Sequence, residues 1–260
     1  MRIRGFAPAT PCWVELASTD PGRAQDFYAE LFRWEPAGDR FRLDGRAVAG
    51  LTRARPERSA GWLSYLAAPD LDAALEQVAA AGGRCLSWPA QGHGGWAAVV
   101  ADRGGAALGL WQATDFTGAQ SAGEPNTMAW PELVTADPAT AVDFYGRAFG
   151  WLLRDEQGSA GTRGEWLTSG HDAIAGLVPG GRPARWRAAF QVADCGQVAD
   201  ACLDLGGRIV AGPSPMSLGT YAELADPYGA TFAVAAPAHS PVELSLSFDT
   251  LVGMELTFPG

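Results

Sequence analysis

The stretch WVELASTDPGRAQDFY at residues 13–28 returns as WPELVTADPATAVDFY at residues 130–145, with Trp, Glu, Leu, Asp, Pro, Ala, Asp, Phe and Tyr at identical spacing. A chain that repeats such a string builds the same unit twice, so the repeat constrains the fold more tightly than any single motif. Each copy reads as a strand followed by a helix. CWVELAS and AWPELVT are short and apolar at both parities, as a strand with two covered faces should be. Asp20 and Asp137 then stand at N-cap positions, with Pro21 and Pro138 in the first helical turn, where proline's missing N–H has no partner to lose. Ala24, Phe27, Tyr28 and Leu31 follow at helical spacing, and Ala141, Phe144, Tyr145 and Ala148 repeat that buried face.

A second pair of segments completes the pattern. WLSYLAAPDLDAALEQVAAAGGR (62–84) matches WRAAFQVADCGQVADACLDLGGR (186–208): strand, Asp cap at Asp70 or Asp194, helix, and a Gly-Gly stop. Short strand candidates joined by the turns DRGGA and DPYGA come next. The expected helices are 21–33, 70–82, 138–149 and 195–206. The expected architecture is α+β, with four βαβββ units in two halves of residues 1–113 and 128–237. Residues 114–127 read as a linker, and 238–260, where PVELSLSF alternates apolar and polar, as an extra β tail. Matching residues lie 117 apart at Trp13 and Trp130 but 124 apart at Asp70 and Asp194, so the second half carries extra chain within 152–185. Divergent middles suggest that one half is specialised while the other supports the fold.

Composition limits the partners. At 260 residues and formal charge −10, with no basic block, the chain would repel a phosphate backbone, which argues against nucleic acid. No run of 18 apolar residues suggests a membrane span, and MRIRGFAPATPCW has no apolar leader, so a cytoplasmic location is expected. All 19 basic residues are Arg, which a GC-rich genome explains better than function does. The four cysteines (Cys12, Cys85, Cys195, Cys202) form no CxxC pair and read as reduced structural thiols.

Duplicated strand–helix–strand–strand–strand units, with DFY closing the first helix and D-x-x-G before the last strand, resemble the vicinal oxygen chelate superfamily, which includes glyoxalase I, bleomycin-resistance proteins and extradiol dioxygenases. The double-length layout is similar to tandem glyoxalase-like proteins of high-GC bacteria, often labelled hydroxylases or secondary-metabolism proteins. The resemblance covers roughly residues 8–237. It implies a curved sheet around a cavity in each half, and a divalent metal held by His or Glu on three strands. The ligand positions carry over onto Trp13, Leu63 and Gly109 in the first half, and Trp130, Arg187 and Ala233 in the second. None supplies the His nitrogen or carboxylate oxygen that a metal needs within about 2.0–2.6 Å. No metal and no other cofactor are therefore expected. His93, His171 and His239 stand in turns or in the tail, and His93 precedes a cavity-forming strand.

Side chains alternate along a strand, so the carried-over positions set which residues face the cavities. Trp13, Glu15, Leu63, Tyr65 and Trp111 point into the first; Trp130, Glu132, Arg187 and Ala189 point into the second. Large aromatics beside small residues suit a flat apolar ligand in both cavities. Glu15 and Glu132 are the candidate acid–base residues, since a carboxylate among aromatics is tuned towards neutral pH by desolvation. Bonded to an Arg, Tyr or backbone N–H, they would equally serve a structural role. Trp13, Tyr65, Trp111, Trp130, Arg187 and His93 are the candidate ligand contacts. The expected function is metal-free binding of a hydrophobic, aromatic small molecule of secondary metabolism, by sequestration or as a carrier. The alternative is a cofactor-independent biosynthetic enzyme (isomerase, cyclase or hydroxylase type) using a pocket Glu. The expected assembly is a pseudo-dimeric monomer or a homodimer.

Overall fold

The structure, a computed structural model, describes residues 5–54, 60–92, 94–155, 164–216 and 219–237. It consists of four βαβββ units. The first holds β1 (Pro11–Ser18), α1 (Pro21–Phe32), β2 (Glu35–Ala37), β3 (Arg40–Leu43) and β4 (Arg46–Arg53). The second holds β5 (Gly61–Ala67), α2 (Leu71–Ala80), β6 (Arg84–Gly92), β7 (Gly95–Ala101) and β8 (Ala107–Ala113). The third runs through β9 (Thr127–Thr135), α3 (Pro138–Phe149), β10 (Leu152–Asp155), β11 (Gly164–Leu167) and β12 (Ala173–Pro179). The fourth is β13 (Arg185–Gln191), α4 (Cys195–Asp204), β14 (Arg208–Met216), β15 (Gly219–Ala225) and β16 (Thr231–Pro237).

The helix ends follow from the capping residues. Asp20, Asp70, Asp137 and Asp194 each accept a backbone N–H from the first turn of their helix. Gly82 and Gly206, just past α2 and α4, adopt φ of 88° and 82°, the left-handed turn in which glycine pays no Cβ penalty.

Two units join into one eight-stranded mixed sheet. The order is β2-β3-β4-β1-β5-β8-β7-β6 in the first half and β10-β11-β12-β9-β13-β16-β15-β14 in the second. In each half the opening strand pairs in parallel with the last strand of its own unit and antiparallel with the first strand of the next. The halves are thus topological copies.

The helix-side cores cross between halves. One core packs Val14, Phe27, Tyr28, Phe32 and Trp34 of the first unit against Phe190, Cys202 and Phe232 of the fourth. The other packs Leu66, Val78 and Leu110 of the second unit against Phe144, Tyr145, Trp151 and Trp166 of the third. Neither half buries its helix face alone. Among the described residues no helix is long and apolar enough to cross a membrane.

The stretch 114–127, expected as a linker, is stitched into the fold, and its last residue, Thr127, opens β9. The amides of Thr114, Asp115 and Phe116 all donate to the Gly94 carbonyl, and Ala119 N–H donates to Cys12 O. Gln120 N–H donates to Ala47 O, while its side-chain carbonyl accepts Ala47 N–H. At its far end Asn126 N–H reaches Gln191 O in the second half. The tail 238–260 and the expected contact His93 lie outside the described residues, as does His239.

Candidate functional site

The concave faces of the two sheets differ, and the difference locates the site. In the first half Cys12, Trp13, Leu63, Tyr65 and Trp111 pack against one another and against Phe116 and Ala119 of the connecting stretch. Trp13 meets Phe116 edge-on at 4.9 Å, Trp111 Nε1–H donates to Phe116 O at 2.9 Å, and the Arg40 guanidinium covers the Phe116 ring at 3.8 Å. The expectation of an open cavity here is corrected: the cup is full. Its own large aromatics and the inserted Phe116 occupy the volume that a ligand would need. Trp13, Tyr65 and Trp111 are placed as core.

In the second half the cup is open, with a cavity of about 420 Å³. Strand register explains the space. Tyr65 stands opposite Gly109 and Trp111 opposite Ala97 in the first half; the corresponding ladders of the second pair Ala189 with Ala233 and Ala235 with Tyr221. Two large rings, Tyr65 and Trp111, are thus replaced by Ala189 and Ala235. Burying such a ring stabilises a core by roughly 2–3 kcal/mol, and the second cup forgoes this twice. Trp130, the counterpart of Trp13, is 38% exposed where Trp13 is 5% exposed. Ala129, Ile174, Ala175, Leu177, Val178 and Met216 supply apolar wall.

A buried polar network forms the floor. Arg187 donates to Glu132 Oε2 through Nε at 3.1 Å and Nη2 at 2.7 Å, and through Nη1 to Glu223. Tyr221 OH donates to the same Glu132 oxygen at 2.5 Å, and Trp130 Nε1–H to Glu132 Oε1 at 3.3 Å. Arg185 completes the chain by donating to Glu223 at 3.2 Å. Burial opposes the charge on Arg187, but Glu132, Tyr221 and Glu223 outweigh it and raise the guanidinium pKa further. Burial, then the adjacent Glu132 charge, pushes the Tyr221 phenol upward, so it stays a proton donor. Arg187 is therefore inward and paired with Glu132. In the first half Glu15 is also buried, and its ladder partner is Leu63 where Glu132 has Arg187.

Tyr221 and Glu223 are absent from the residues singled out in the sequence. Their signal was present: at matching ladder positions GTYAELA puts Tyr and Glu where GWAAVVA has Ala97 and Val99. His171 sits in a turn with φ 69°. All four cysteines are free, and burial raises the pKa of each, to about 11 for Cys202, so none is an activated thiolate.

The residues present do not fit a divalent metal. Among the described residues no group of three His, Cys, Asp or Glu is arranged to hold one. Where the family resemblance places the metal, the two nearby carboxylates, Glu132 and Glu223, are clasped by a guanidinium. That positive charge excludes a second cation.

Another cavity, of about 490 Å³, lies at the start of α3, between Asp102, Arg103, Asp137 and Arg182. Three of its polar groups already have partners: Asp102 accepts from Tyr145, Arg103 pairs with Asp143, and Asp137 caps α3. Ala136, Ala141, Phe144, Pro183 and Ala184 give it apolar wall, but its carboxylates and Arg103 already serve the fold, so the second cup is the candidate.

A duplicated βαβββ chain with two eight-stranded curved sheets and one open cup defines a tandem glyoxalase-like protein. The chain belongs to the glyoxalase-like family: the profile of the glyoxalase-like domain matches residues 131–235, and a relative matched over nearly its whole length carries the glyoxylase name. It is 34% identical over 253 residues to CFP32 of Mycobacterium tuberculosis (strain CDC 1551 / Oshkosh), provisionally named a glyoxylase, covering 90% of this chain and 97% of that protein. It is 32% identical over 258 residues to the anthracycline biosynthesis protein DnrV of Streptomyces peucetius, covering 88% and 94%. The Mn(II)-bound glyoxalase of Novosphingobium aromaticivorans superposes with a TM-score of 0.65 at 20% identity, over 89% of this chain and 83% of that one.

Proposed function

We propose that the second half's cup binds a planar, largely apolar aromatic molecule of secondary metabolism without a metal, and that the first half serves as scaffold. The observation that carries this reading is the pair of alanines, Ala189 and Ala235, where the first half has Tyr65 and Trp111. They open a cavity beside the half-exposed Trp130. The Streptomyces relative named for anthracycline biosynthesis supports an aromatic ligand, since anthracyclines are fused-ring aromatics.

Sequestration or carriage suits the floor better than acid–base turnover. Glu132 accepts from four donors on Arg187, Tyr221 and Trp130. A general base needs a lone pair aimed at a substrate proton, and most of this carboxylate's capacity is already engaged. The test is tryptophan fluorescence quenching across a panel of polycyclic aromatics, followed by product analysis of each binder. Saturable quenching in the wild type that is lost in Trp130→Ala, with every binder recovered unchanged, supports the reading. A panel with no binder defeats it, and a converted binder replaces carriage with catalysis.

A further inference from the structure

The polar corner of the second cup restricts the chemistry of its occupant. We infer that the ligand presents a neutral hydroxyl on its aromatic ring and carries no negative charge, the hydroxyl donating its proton to one of the two free acceptors, Tyr221 Oη or Glu132 Oε1. This rests on the ligand-binding reading above and specifies the class of molecule bound.

Two independent observations lead there. The first is charge. The ionic side chains lining the cavity are Glu132 and Glu165, both acidic. The arginines that balance them, Arg187 and Arg154, stand outside the lining. An anionic ring system would meet two carboxylates with no cation among the described residues of the wall, which disfavours it. The second is hydrogen-bond polarity. The Tyr221 hydroxyl proton is committed to Glu132 Oε2, and so are Arg187 Nε and Nη2. The single N–H of Trp130 is directed at Glu132 Oε1. The floor therefore faces the cavity with the lone pairs of Tyr221 Oη and the remaining lone pair of Glu132 Oε1. Gln191 and Thr220 on the wall each carry both a donor and an acceptor and do not select. A ligand carbonyl placed at the floor would oppose acceptor to acceptor; a hydroxyl completes it.

Three probes on one ring system separate the possibilities: 9-phenanthrol (neutral donor), 9-methoxyphenanthrene (no donor) and phenanthrene-9-carboxylate (anion). Equilibrium dialysis at neutral pH measures each against wild type and against Tyr221→Phe, with thermal melting to confirm that the variant is folded. The expected result is wild-type affinity for the phenol about tenfold above the ether, the value of one hydrogen bond, with the carboxylate weakest. In Tyr221→Phe the phenol's advantage over the ether, both measured on that variant, falls to about threefold or less. The wild-type comparison stands alone should the variant fail to fold. Phenol and ether bound equally, or a carboxylate bound as tightly as the phenol, overturns the inference and leaves ligand binding intact. Failure of all three to bind overturns ligand binding itself.

Discussion

The hydroxyl of Tyr28, in the first half, donates to Asp226 of the second half at 3.1 Å. Its pseudo-symmetric counterpart, Tyr145 of the second half, donates to Asp102 of the first at 3.0 Å. Each tyrosine also accepts an indole N–H, from Trp62 at 3.0 Å and from Trp186 at 2.7 Å. The DFY tyrosine and the D-x-x-G aspartate, separate landmarks in the repeat, thus form one clamp used twice across the two halves. Removing either hydroxyl leaves a buried carboxylate short of a donor, so Tyr28→Phe and Tyr145→Phe should each lower stability by about 1–3 kcal/mol. Urea unfolding should remain a single transition in wild type. Two resolved transitions would show that the halves are independent.

The same clamps predict a pH response. Burial raises the pKa of Asp102 and Asp226, against the backbone amides and tyrosine hydroxyls that lower it. A carboxyl whose pKa is higher folded than unfolded binds its proton more readily in the fold. Its stabilising contribution is full below the ordinary value of about 4 and is lost as pH rises through the raised one. Asp226→Asn, which carries no charge at any pH, should therefore gain thermal stability relative to wild type as pH climbs from about 4 towards 7. A difference in melting temperature that does not vary with pH would exclude this.

The floor of the open cup couples Glu132 to Arg187. Glu132→Gln should destabilise by about 3 kcal/mol, because it leaves a buried guanidinium under-compensated. Adding Arg187→Met should return part of that loss, giving a coupling energy of about 1–3 kcal/mol in a double-mutant cycle. Glu15→Gln, in the filled cup, should cost about 1–3 kcal/mol and leave ligand affinity unaltered. Strict additivity of the Glu132 and Arg187 changes would mean that the pair contributes nothing as a pair.

Refilling the cup offers a direct test of which half works. Ala235→Trp places in the second cup the ring that Trp111 contributes to the first. It should abolish quenching by aromatic ligands while the protein stays folded. Retained binding in that variant would move the site elsewhere.

A metal assay should come out negative. Protein incubated with manganese, zinc, nickel or iron and then desalted should retain well below one equivalent per chain by elemental analysis. The guanidinium of Arg187 stands where the family resemblance places the ion. Stoichiometric retention would show that the carried-over positions are wrong.

The fold was legible because its signals are local. An Asp cap acts within one helix, and the four caps fall where the four described helices lie, two of them followed by a proline and an i, i+3, i+4, i+7 face. Strand parity was legible for the same reason, placing Glu132 and Arg187 on one face. What remained hidden depends on distant chain. Nothing near Trp13 indicates that Phe116, about a hundred residues later, fills its cup, since 114–127 reads as polar connection. Tyr221 and Glu223 escaped because neither belongs to a motif; their meaning comes from the ladder that sets them beside Ala235 and Ala233. The asymmetry of the halves lies in substitutions that only a strand-by-strand match of the two copies makes visible.

The cross-packed cores have a consequence for how such a molecule can change. A half of this kind, standing alone, would expose the helix faces that its twin now covers, so it would have to pair with a second copy of itself. In that symmetric pair every substitution appears in both cups at once: a ring that props one shut closes both, and an alanine that opens one hollows both. Joining the copies in one chain lifts that restriction. One cup can then be packed solid, as Trp13, Tyr65, Trp111 and Phe116 pack the first, and hold the shared frame rigid while the other changes its lining freely. Covalent fusion thereby divides labour between two sites that began with the same geometry.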